Sequence, residues 1–481
     1  MDFRPILLVL GTLMTALGLA MLLPALVDWV DGNPGWRTYA VCAVMTVTIG
    51  FAMFLVTRGT ARSLSARQAF LMTVAVWLVL TAFAAIPLRL VEATPTYTDA
   101  FFEAMSGLTT TGATAIGDLE VLGPGTHLWR GLLQWLGGLG IIVMAVSVLP
   151  LLQVGGMQLF KAEAFETPEK ILPRATQISG SITLVFVTFT AVCMIAYMFA
   201  GMGALDATVH AMTTVATGGF STRNASLGAF DSVAVDMTAL VFMILGSIPF
   251  LLYVQAMQGR DAAILRDAQV RTFLILLTVL VFIAFLIETV GQVRGGADAL
   301  RYAAVNVTSI MTGTGYATTD YGAWGPASVA FFFFIMFIGG CAGSTSCGIK
   351  VFRFQILFID IRNHLFQVTY PNGVFARRFN GRPVSDDVSR AVMSFFFLYI
   401  LTFAVSAMAL SLTGIDSLTA LSGAGSAISN VGPGLGALIG PAGNYETLPD
   451  SAKWILAATM LIGRLEIFSV LVLLSPAFWR A

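Results

Sequence analysis

The stretch AFFEAMSGLTTTG at residues 100–112 decides the fold, because stretches of the same length and character occur three more times in the chain. Each copy begins with an alanine, continues as a short amphipathic segment and ends at a glycine twelve positions later. The other copies are ATVHAMTTVATGG at 207–219, AAVNVTSIMTGTG at 303–315 and ALSGAGSAISNVG at 420–432. Internal self-similarity marks repeated structural units, so the sequence predicts four related units in one chain.

The composition places these units in a membrane. Of the 481 residues, 57% are hydrophobic and only 11% are charged, far from the balance of a soluble protein. Lysine plus arginine equals aspartate plus glutamate, so no basic excess indicates a nucleic-acid partner, and the expected surroundings are lipid. The four cysteines show no disulfide or metal-ligand spacing.

Ten stretches are long and apolar enough to cross a bilayer as helices. The first is interpreted as a retained transmembrane helix rather than a signal peptide, because its apolar run is long and a second span follows at once. The segments between paired spans, near 98–109, 205–216, 301–312 and 416–429, have the length of re-entrant half-helices. The predicted spans are 6–27, 38–57, 69–91, 128–153, 180–201, 233–257, 271–290, 326–360, 390–412 and 453–475.

This order predicts an all-α polytopic membrane protein. Two leading helices precede four pseudo-symmetric repeats of helix, pore half-helix, filter and helix around one central pore. The expected domain boundaries are 1–60 for the leading helices, 66–155, 176–260 and 268–368 for the first three repeats, and 386–481 for the fourth.

The positive charges predict the orientation. The connections at 57–70, 158–180, 258–272 and 349–390 hold sixteen lysines and arginines, whereas the first loop and the connections that carry the glycine stretches hold five. Because cytoplasmic loops carry the excess of positive charge, the glycine stretches should face outward and both termini should be cytoplasmic.

The end of each stretch is suited to a dehydrated cation. A half-helix that stops in mid-membrane directs the negative end of its dipole to the centre, and Asp99, Asp206, Asp298 and Asp416 stand near the N-termini, where they are expected to cap. Glycine lets the following chain turn its carbonyls toward one axis, where they replace the water around potassium. Small residues also serve close helix packing, but four copies at one spacing favour a pore. The predicted ion-binding residues are Thr110, Thr111, Gly112, Thr217, Gly218, Gly219, Gly313, Thr314, Gly315, Asn430, Val431 and Gly432.

These stretches resemble the filters of the Trk/Ktr/HKT superfamily of potassium transporters, specifically the bacterial TrkH-like pore subunit. The resemblance rests on residues 109–114, 216–221, 312–316 and 429–434, and it extends over nearly the whole chain to 475–479. Glycine at all four selectivity positions implies potassium as the transported ion, held at the filter residues. The resemblance also implies a homodimer in the bacterial inner membrane, no organic cofactor on this chain, and a TrkA-like cytosolic ring that binds nucleotides as the partner.

The segment GGCAGSTSCG at 339–348 interrupts the second span of the third repeat. Helix does not persist through so many small residues, and non-helical backbone at membrane depth lines protein or water. The resemblance implies an intramembrane loop that gates the pore beneath the filter; the alternative is a simple hinge between two packed half-helices. The residues assigned to the gate in this segment are Gly339, Gly340, Gly343, Ser344, Thr345, Ser346 and Gly348.

Arg464 lies at the centre of the last span, where an arginine costs at least about 2.5 kcal/mol and should face the bundle interior. Glu466 is two positions on and therefore lies off the helical face of Arg464, so a pair within the helix is not expected. The resemblance implies that Arg464 projects into the pore and raises the barrier to cations; the alternative is a buried pair with another helix.

Polar residues recur at one position of the half-helices, as Glu103, His210 and Asn306, with Gly423 in the fourth. They either hydrogen-bond to the back of their own filter or contact the ion directly. The arginines of 349–390 follow the positive-inside rule, and the resemblance adds a docking surface for the cytosolic ring. A sodium-permeable or a proton- or sodium-coupled cation symporter remains open. An intramembrane enzyme is disfavoured, because no catalytic or ligand pair lies inside the spans.

Overall fold

The computed structural model describes residues 2–59, 65–147, 171–259 and 262–480. Helix dominates these ranges, and their only named strands are the two-residue antiparallel pair Arg378–Phe379 and Arg382–Pro383. The expected all-α polytopic membrane fold is therefore confirmed. The end of the fourth predicted span, 148–153, lies outside the described residues, as does 158–170 of the second basic connection.

The helices alternate between membrane-length segments and shorter ones. Two short 3₁₀ helices, Ser226–Phe230 and Tyr321–Trp324, lie in the connections that follow the second and third half-helices. The α-helices are Arg4–Ala20, Leu22–Asp31, Gly35–Thr57, Ala66–Leu90, Tyr97–Leu108, Pro124–Ser147, Ile171–Phe199, Ala204–Val215, Val233–Gly246, Phe250–Met257, Ala262–Arg266, Ala268–Val290, Gly296–Thr312, Pro326–Ile335, Val351–Thr369, Asp386–Ser411, Ser417–Ser429, Asp450–Arg464, Phe468–Leu474 and Pro476–Arg480.

The expectation of continuous helices is wrong for two of the ten predicted spans. Six described helices are long and apolar enough to cross a membrane, and two further spans are bent pairs. The span predicted at 233–257 breaks before Pro249 with an 87° bend, and the span at 453–475 breaks after Arg464 with a 115° bend. The span at 326–360 is interrupted as its glycines predicted, although the break is wider than 339–348: the helix stops at Ile335 and resumes only at Val351. Proline explains the first break, because it disfavours helix in the residue before it.

Four half-helices occupy the predicted positions and define the centre of the molecule. They are Tyr97–Leu108, Ala204–Val215, Gly296–Thr312 and Ser417–Ser429, called half-helices 1 to 4 below. The alanine that opens each repeated stretch is fully buried in all four. A methyl group at that position lets the neighbouring helices approach closely, as small residues do in membrane helix packing.

The aspartates near these half-helices differ from the predicted caps. Only Asp416 is an N-cap, accepting a hydrogen bond from the Thr419 N–H at 3.0 Å. Asp99, Asp206 and Asp298 are instead the third residues of their helices, and Asp99 completes a capping box with Thr96. A carboxylate in the first turn still stabilises the positive end of the helix dipole, so the electrostatic part of the expectation survives.

Buried ion pairs tie neighbouring repeats together around the half-helices. Lys453 of the fourth repeat donates to Asp99 of half-helix 1, and both side chains are at most 4% exposed. Arg301 of half-helix 3 donates to Asp236 of the second repeat at 2.7 Å. Removing one partner of a buried pair leaves an uncompensated charge, which costs about 3–5 kcal/mol, so these pairs fix which repeats lie side by side.

Candidate functional site: a four-stretch pore

The backbone repeats its conformation at the end of each half-helix. The glycines Gly112, Gly219, Gly315 and Gly432 have φ values of 85°, 76°, 82° and 106°. Two residues before each of them φ is also positive, at 52° and 49° in the first two stretches, 74° in the third and 52° in the fourth. Side chains rarely adopt such angles, so the turn explains why glycine stands at the same place four times.

The four stretches close into a ring. A Cβ built on Gly112 would lie 2.2 Å from the carbonyl oxygen of Gly218 in the second stretch. A Cβ built on each of the other three glycines likewise lies close to a carbonyl oxygen of the next stretch, and the next stretch after the fourth is the first. The distances are 1.8 Å from Gly219 to Thr314, 2.0 Å from Gly315 to Val431 and 2.6 Å from Gly432 to Thr111. Each glycine thus leaves room for one carbonyl of the adjacent stretch.

The residue directly before each of these glycines donates its backbone N–H to its own half-helix. The N–H groups donate to the residue five positions earlier at 2.8–3.0 Å, and that acceptor is a serine or threonine in every repeat. Because the N–H groups are consumed in this way, carbonyl oxygens form the polar edge of the ring. The donor and acceptor pairs are Thr111 and Ser106, Gly218 and Thr213, Thr314 and Ser309, and Val431 and Ser426.

Three polar side chains brace the chain just beyond the ring. Glu103 accepts a hydrogen bond from the Ala115 N–H at 2.8 Å. The His210 ring bonds the Ser221 hydroxyl at 3.0 Å, and the Asn306 Oδ1 accepts from the Thr318 N–H at 3.1 Å. Each residue thus bonds the back of its own filter, which is the first of the two interpretations made from the sequence.

Glu103 also pairs with Arg130 at 2.8 Å, and both groups are at most 1% exposed. In the fourth repeat, where Gly423 has no side chain, the hydroxyl of Ser422 accepts the Leu435 N–H at 2.9 Å. Sequence reasoning missed this serine, although a hydroxyl residue directly before the glycine was the available signal.

Aromatic support differs between the third and fourth stretches. The Tyr316 hydroxyl bonds the Thr214 hydroxyl at 3.1 Å behind the second stretch. Pro433 occupies the equivalent position in the fourth stretch and offers no such group. Tyr445, thirteen residues after Gly432, instead donates its hydroxyl to the Gly432 carbonyl at 2.7 Å. This residue was also missed, since no local pattern connects it with the filter.

The far side of the ring, away from residues 339–348, opens into a cavity of about 70 Å³ lined by all four filter glycines. Asp118 lies in the connection beside this cavity and accepts a hydrogen bond from Asn224 at 2.7 Å. The Asn224 amide lowers the pKa of the exposed Asp118 carboxyl, which is therefore ionised at neutral pH.

Residues 339–348 form a non-helical loop directly beneath the ring. The Cys347 Sγ lies 3.6 Å from the Thr110 hydroxyl at the start of the first filter. The loop fills the break after Gly246: the Thr345 N–H donates to the Gly246 carbonyl at 3.2 Å, and the Gly343 carbonyl accepts from Phe250 at 2.9 Å. The broken helix and the loop therefore satisfy each other's backbone groups, as backbone inside a membrane requires.

Arg464 ends its helix against this loop. Its Nη1 donates to the Thr345 carbonyl at 3.3 Å and contacts the Cys347 sulfur. Glu466 pairs with Arg353 of another helix rather than with Arg464, in line with the absence of an intrahelical pair. A cavity of about 30 Å³ borders Arg464, Glu466 and Lys350. The Glu466 carboxylate below the ring therefore has three cationic groups near it, those of Arg353, Arg464 and Lys350.

The comparisons with known proteins cover the whole of this architecture. The model of the family described as "TrkH: Cation transport protein" matches residues 40–480. The chain is 44% identical over 479 residues to the Trk system potassium uptake protein TrkI of Halomonas elongata, covering 99% of this chain and 97% of that protein. It is 37% identical over 486 residues to the Trk system potassium uptake protein TrkH of Escherichia coli K12, covering 100% of both.

The crystal structure of the potassium transporter TrkH from Vibrio parahaemolyticus matches with a TM-score of 0.92 at 34% identity, covering 100% of both chains. The relatives and the solved structure thus match over essentially the whole chain, and the family model matches from residue 40 onward. The chain belongs to the TrkH family of cation transport proteins.

Proposed function

We propose that this chain carries potassium ions into the cell through the ring formed by its four filter stretches. The observation that carries the proposal is the cyclic order of carbonyl and glycine contacts, which runs through all four stretches and returns to the first. Rings of backbone carbonyls replace the hydration shell of potassium, and the negative ends of four half-helix dipoles favour a cation at that place. Relatives described as potassium uptake proteins support the same ion.

In this proposal residues 339–348 and Arg464 close the pore. The contact between Cys347 and Thr110 supports a gate rather than a hinge, because a hinge needs no contact with the filter. The buried guanidinium of Arg464 opposes a passing cation at the same depth, since charges in a low-dielectric site interact strongly. Opening requires the loop to leave its backbone partners at Gly246 and Phe250.

The protein is proposed to lie in the bacterial inner membrane with both termini in the cytoplasm, as the sixteen positive charges on one side indicate. A TrkA-like cytosolic ring that binds nucleotides is the proposed regulator, and a homodimer the proposed assembly. The arginines Arg362, Arg378 and Arg382 are exposed on the connection that would face the ring. They present a basic surface on the same side as residues 339–348.

Growth at limiting potassium tests the proposal. A bacterium without its own potassium uptake systems should grow in low potassium when it expresses this chain, and should not grow with an empty vector. No growth despite confirmed membrane expression would contradict the proposal. Uptake of labelled sodium at the rate of rubidium would identify a sodium-permeable protein, and a flux that requires a proton or sodium gradient would identify a coupled symporter.

A further inference from the structure

The carboxamide of Gln134 clasps the second filter stretch. Gln134 belongs to the helix Pro124–Ser147 of the first repeat and is fully buried. Its Nε2 donates to the carbonyl oxygen of Gly218 at 2.6 Å, and its Oε1 accepts a hydrogen bond from the Phe220 N–H at 3.0 Å. One side chain thus spans Gly219 and holds the backbone on both sides of it.

The other carbonyls of this ring have no such partner. Thr111, Thr314 and Val431 stand at the position of Gly218, and among the described residues their carbonyl oxygens accept no hydrogen bond from the protein. The Gly218 oxygen nevertheless occupies the ring like the other three, 2.2 Å from a Cβ built on Gly112. Gln134 therefore holds a carbonyl that already faces its ring position.

The second stretch differs from the others at the residue that Gln134 contacts. The three other stretches have a β-branched residue directly before the filter glycine, whereas the second has Gly218. A Cβ at Gly218 would lie 2.5 Å from the Gln134 Cδ, so the carboxamide fills the space of the missing side chain. Gly218 does not have a positive φ, so its backbone conformation would accept a side chain. The space taken by Gln134, rather than the backbone, excludes one.

Two glycines in succession give the second stretch more intrinsic backbone freedom than a β-branched residue and a glycine give the others. Glycine has the widest backbone freedom, and Gly218 and Gly219 offer no side chain that could pack against the half-helix. Selectivity in carbonyl filters depends on cavity size or on the number and field strength of the coordinating dipoles, and both depend on where each carbonyl stands. In the other stretches the buried side chains of Thr111, Thr314 and Val431 supply a constraint, and the clasp takes their place in the second.

We infer that Gln134 is a positioning residue that fixes the Gly218 carbonyl and thereby sets the preference of the pore for potassium over sodium. The inference rests on the proposed potassium pathway through the four stretches. A helix of the first repeat would then determine ion selection at the filter of the second.

The test measures rubidium and sodium uptake separately in liposomes that contain the purified full-length chain. Gln134→Glu keeps the size and the acceptor for Phe220 but replaces the donor by a carboxylate oxygen, and Gln134→Met removes both bonds. The loss of one hydrogen bond should lower the rubidium-to-sodium uptake ratio about fivefold. A residue that served packing alone would lower both fluxes together and leave their ratio unchanged.

Gln68, in the helix Ala66–Leu90 that opens the first repeat, provides a matched control. Its Nε2 donates to the Asp2 carbonyl at 2.7 Å and its Oε1 accepts from the Ser65 N–H at 2.8 Å, so a buried carboxamide makes the same two kinds of backbone hydrogen bond outside the ring. Gln68→Met should keep the wild-type ratio. A wild-type ratio in both folded Gln134 variants would overturn the inference, whereas the absence of rubidium uptake by the wild type would overturn the proposed function instead.

A paired substitution keeps the inference testable if the Gln134 variants fold poorly. Gln134→Ala vacates the space beside Gly218, and adding Gly218→Thr restores the β-branched residue found in two of the other stretches. The double variant should recover rubidium preference relative to Gln134→Ala alone. Equal ratios in these two variants would contradict the inference.

Discussion

Alanine substitution of the filter glycines tests whether they leave room for a ring of carbonyls. A Cβ at Gly219 would lie 1.8 Å from the Thr314 oxygen, and a Cβ at Gly432 would lie 2.6 Å from the Thr111 oxygen. Real Cβ atoms essentially never come within 3.0 Å of such neighbours. The carbonyl must therefore move by about 1.2 Å for Gly219→Ala and by only about 0.4 Å for Gly432→Ala.

The expected magnitude follows from these displacements. Forcing an extra methyl group into a packed site costs about 1–3 kcal/mol, and about 1.4 kcal/mol corresponds to a tenfold change in an equilibrium constant. Gly219→Ala should therefore lower the rubidium-to-sodium uptake ratio by about tenfold. Gly432→Ala, whose collision is smaller, should lower it by less, on the order of threefold.

Gly32 supplies the control for backbone strain. Its φ is 76°, the same as that of Gly219, and nothing lies within 4 Å of a Cβ built on it. Gly32→Ala therefore carries the same conformational cost of about 1–2 kcal/mol without a collision in the pore. Uptake of labelled rubidium and sodium into liposomes should show a wild-type ratio for Gly32→Ala. A ratio for Gly219→Ala that matches this control, or a larger loss for Gly432→Ala than for Gly219→Ala, would contradict the expected collision with the carbonyl oxygen.

Three further predictions concern the gate and the buried ion pair at half-helix 1. Arg464→Ala should speed rubidium uptake because a buried cation leaves the pathway, while Arg464→Lys should remain slow; equal rates for both variants would remove Arg464 from the barrier. Deleting residues 343–347 should weaken gating and raise basal uptake, because the Thr345 and Gly343 contacts disappear; unchanged basal uptake would favour a hinge. Lys453→Met alone should destabilise the fold by about 3–5 kcal/mol, and adding Asp99→Leu should restore much of it; thermal unfolding in detergent measures both, and additive losses would contradict a buried pair.

The half-helices and the filter turns could be predicted because their signals are local. The length of an apolar segment limits how far it crosses a bilayer. A turn with positive φ, as at Gly112 or Gly315, favours glycine and is therefore visible in the sequence. Asp99 was predicted to be the N-cap, whereas Thr96 is the N-cap and Asp99 is the third residue of the helix. Both residues of a capping box bond the N-terminal backbone, so the sequence alone did not distinguish them.

The bends within 233–257 and 453–475 and the supporting side chains could not be predicted in the same way. Pro249 offered a local signal, but the turn at Glu466 and Ile467 has positive φ at two ordinary residues and is held by tertiary contacts such as the pair with Arg353. Gln134 acts on a neighbouring repeat, 84 residues away along the chain. Such contacts follow from how the repeats are arranged around the axis, and no periodicity of the sequence reports them.

The most direct measurement is the position of bound rubidium in crystals of the purified protein, located by its anomalous scattering. We expect a peak on the axis of the ring, surrounded by the carbonyl oxygens of Thr111, Gly218, Thr314 and Val431. We also expect a weaker peak in crystals of Gly219→Ala, whose added methyl group displaces the Thr314 carbonyl. A rubidium peak elsewhere in the protein with none inside the ring would contradict the claim that these four stretches form the ion pathway.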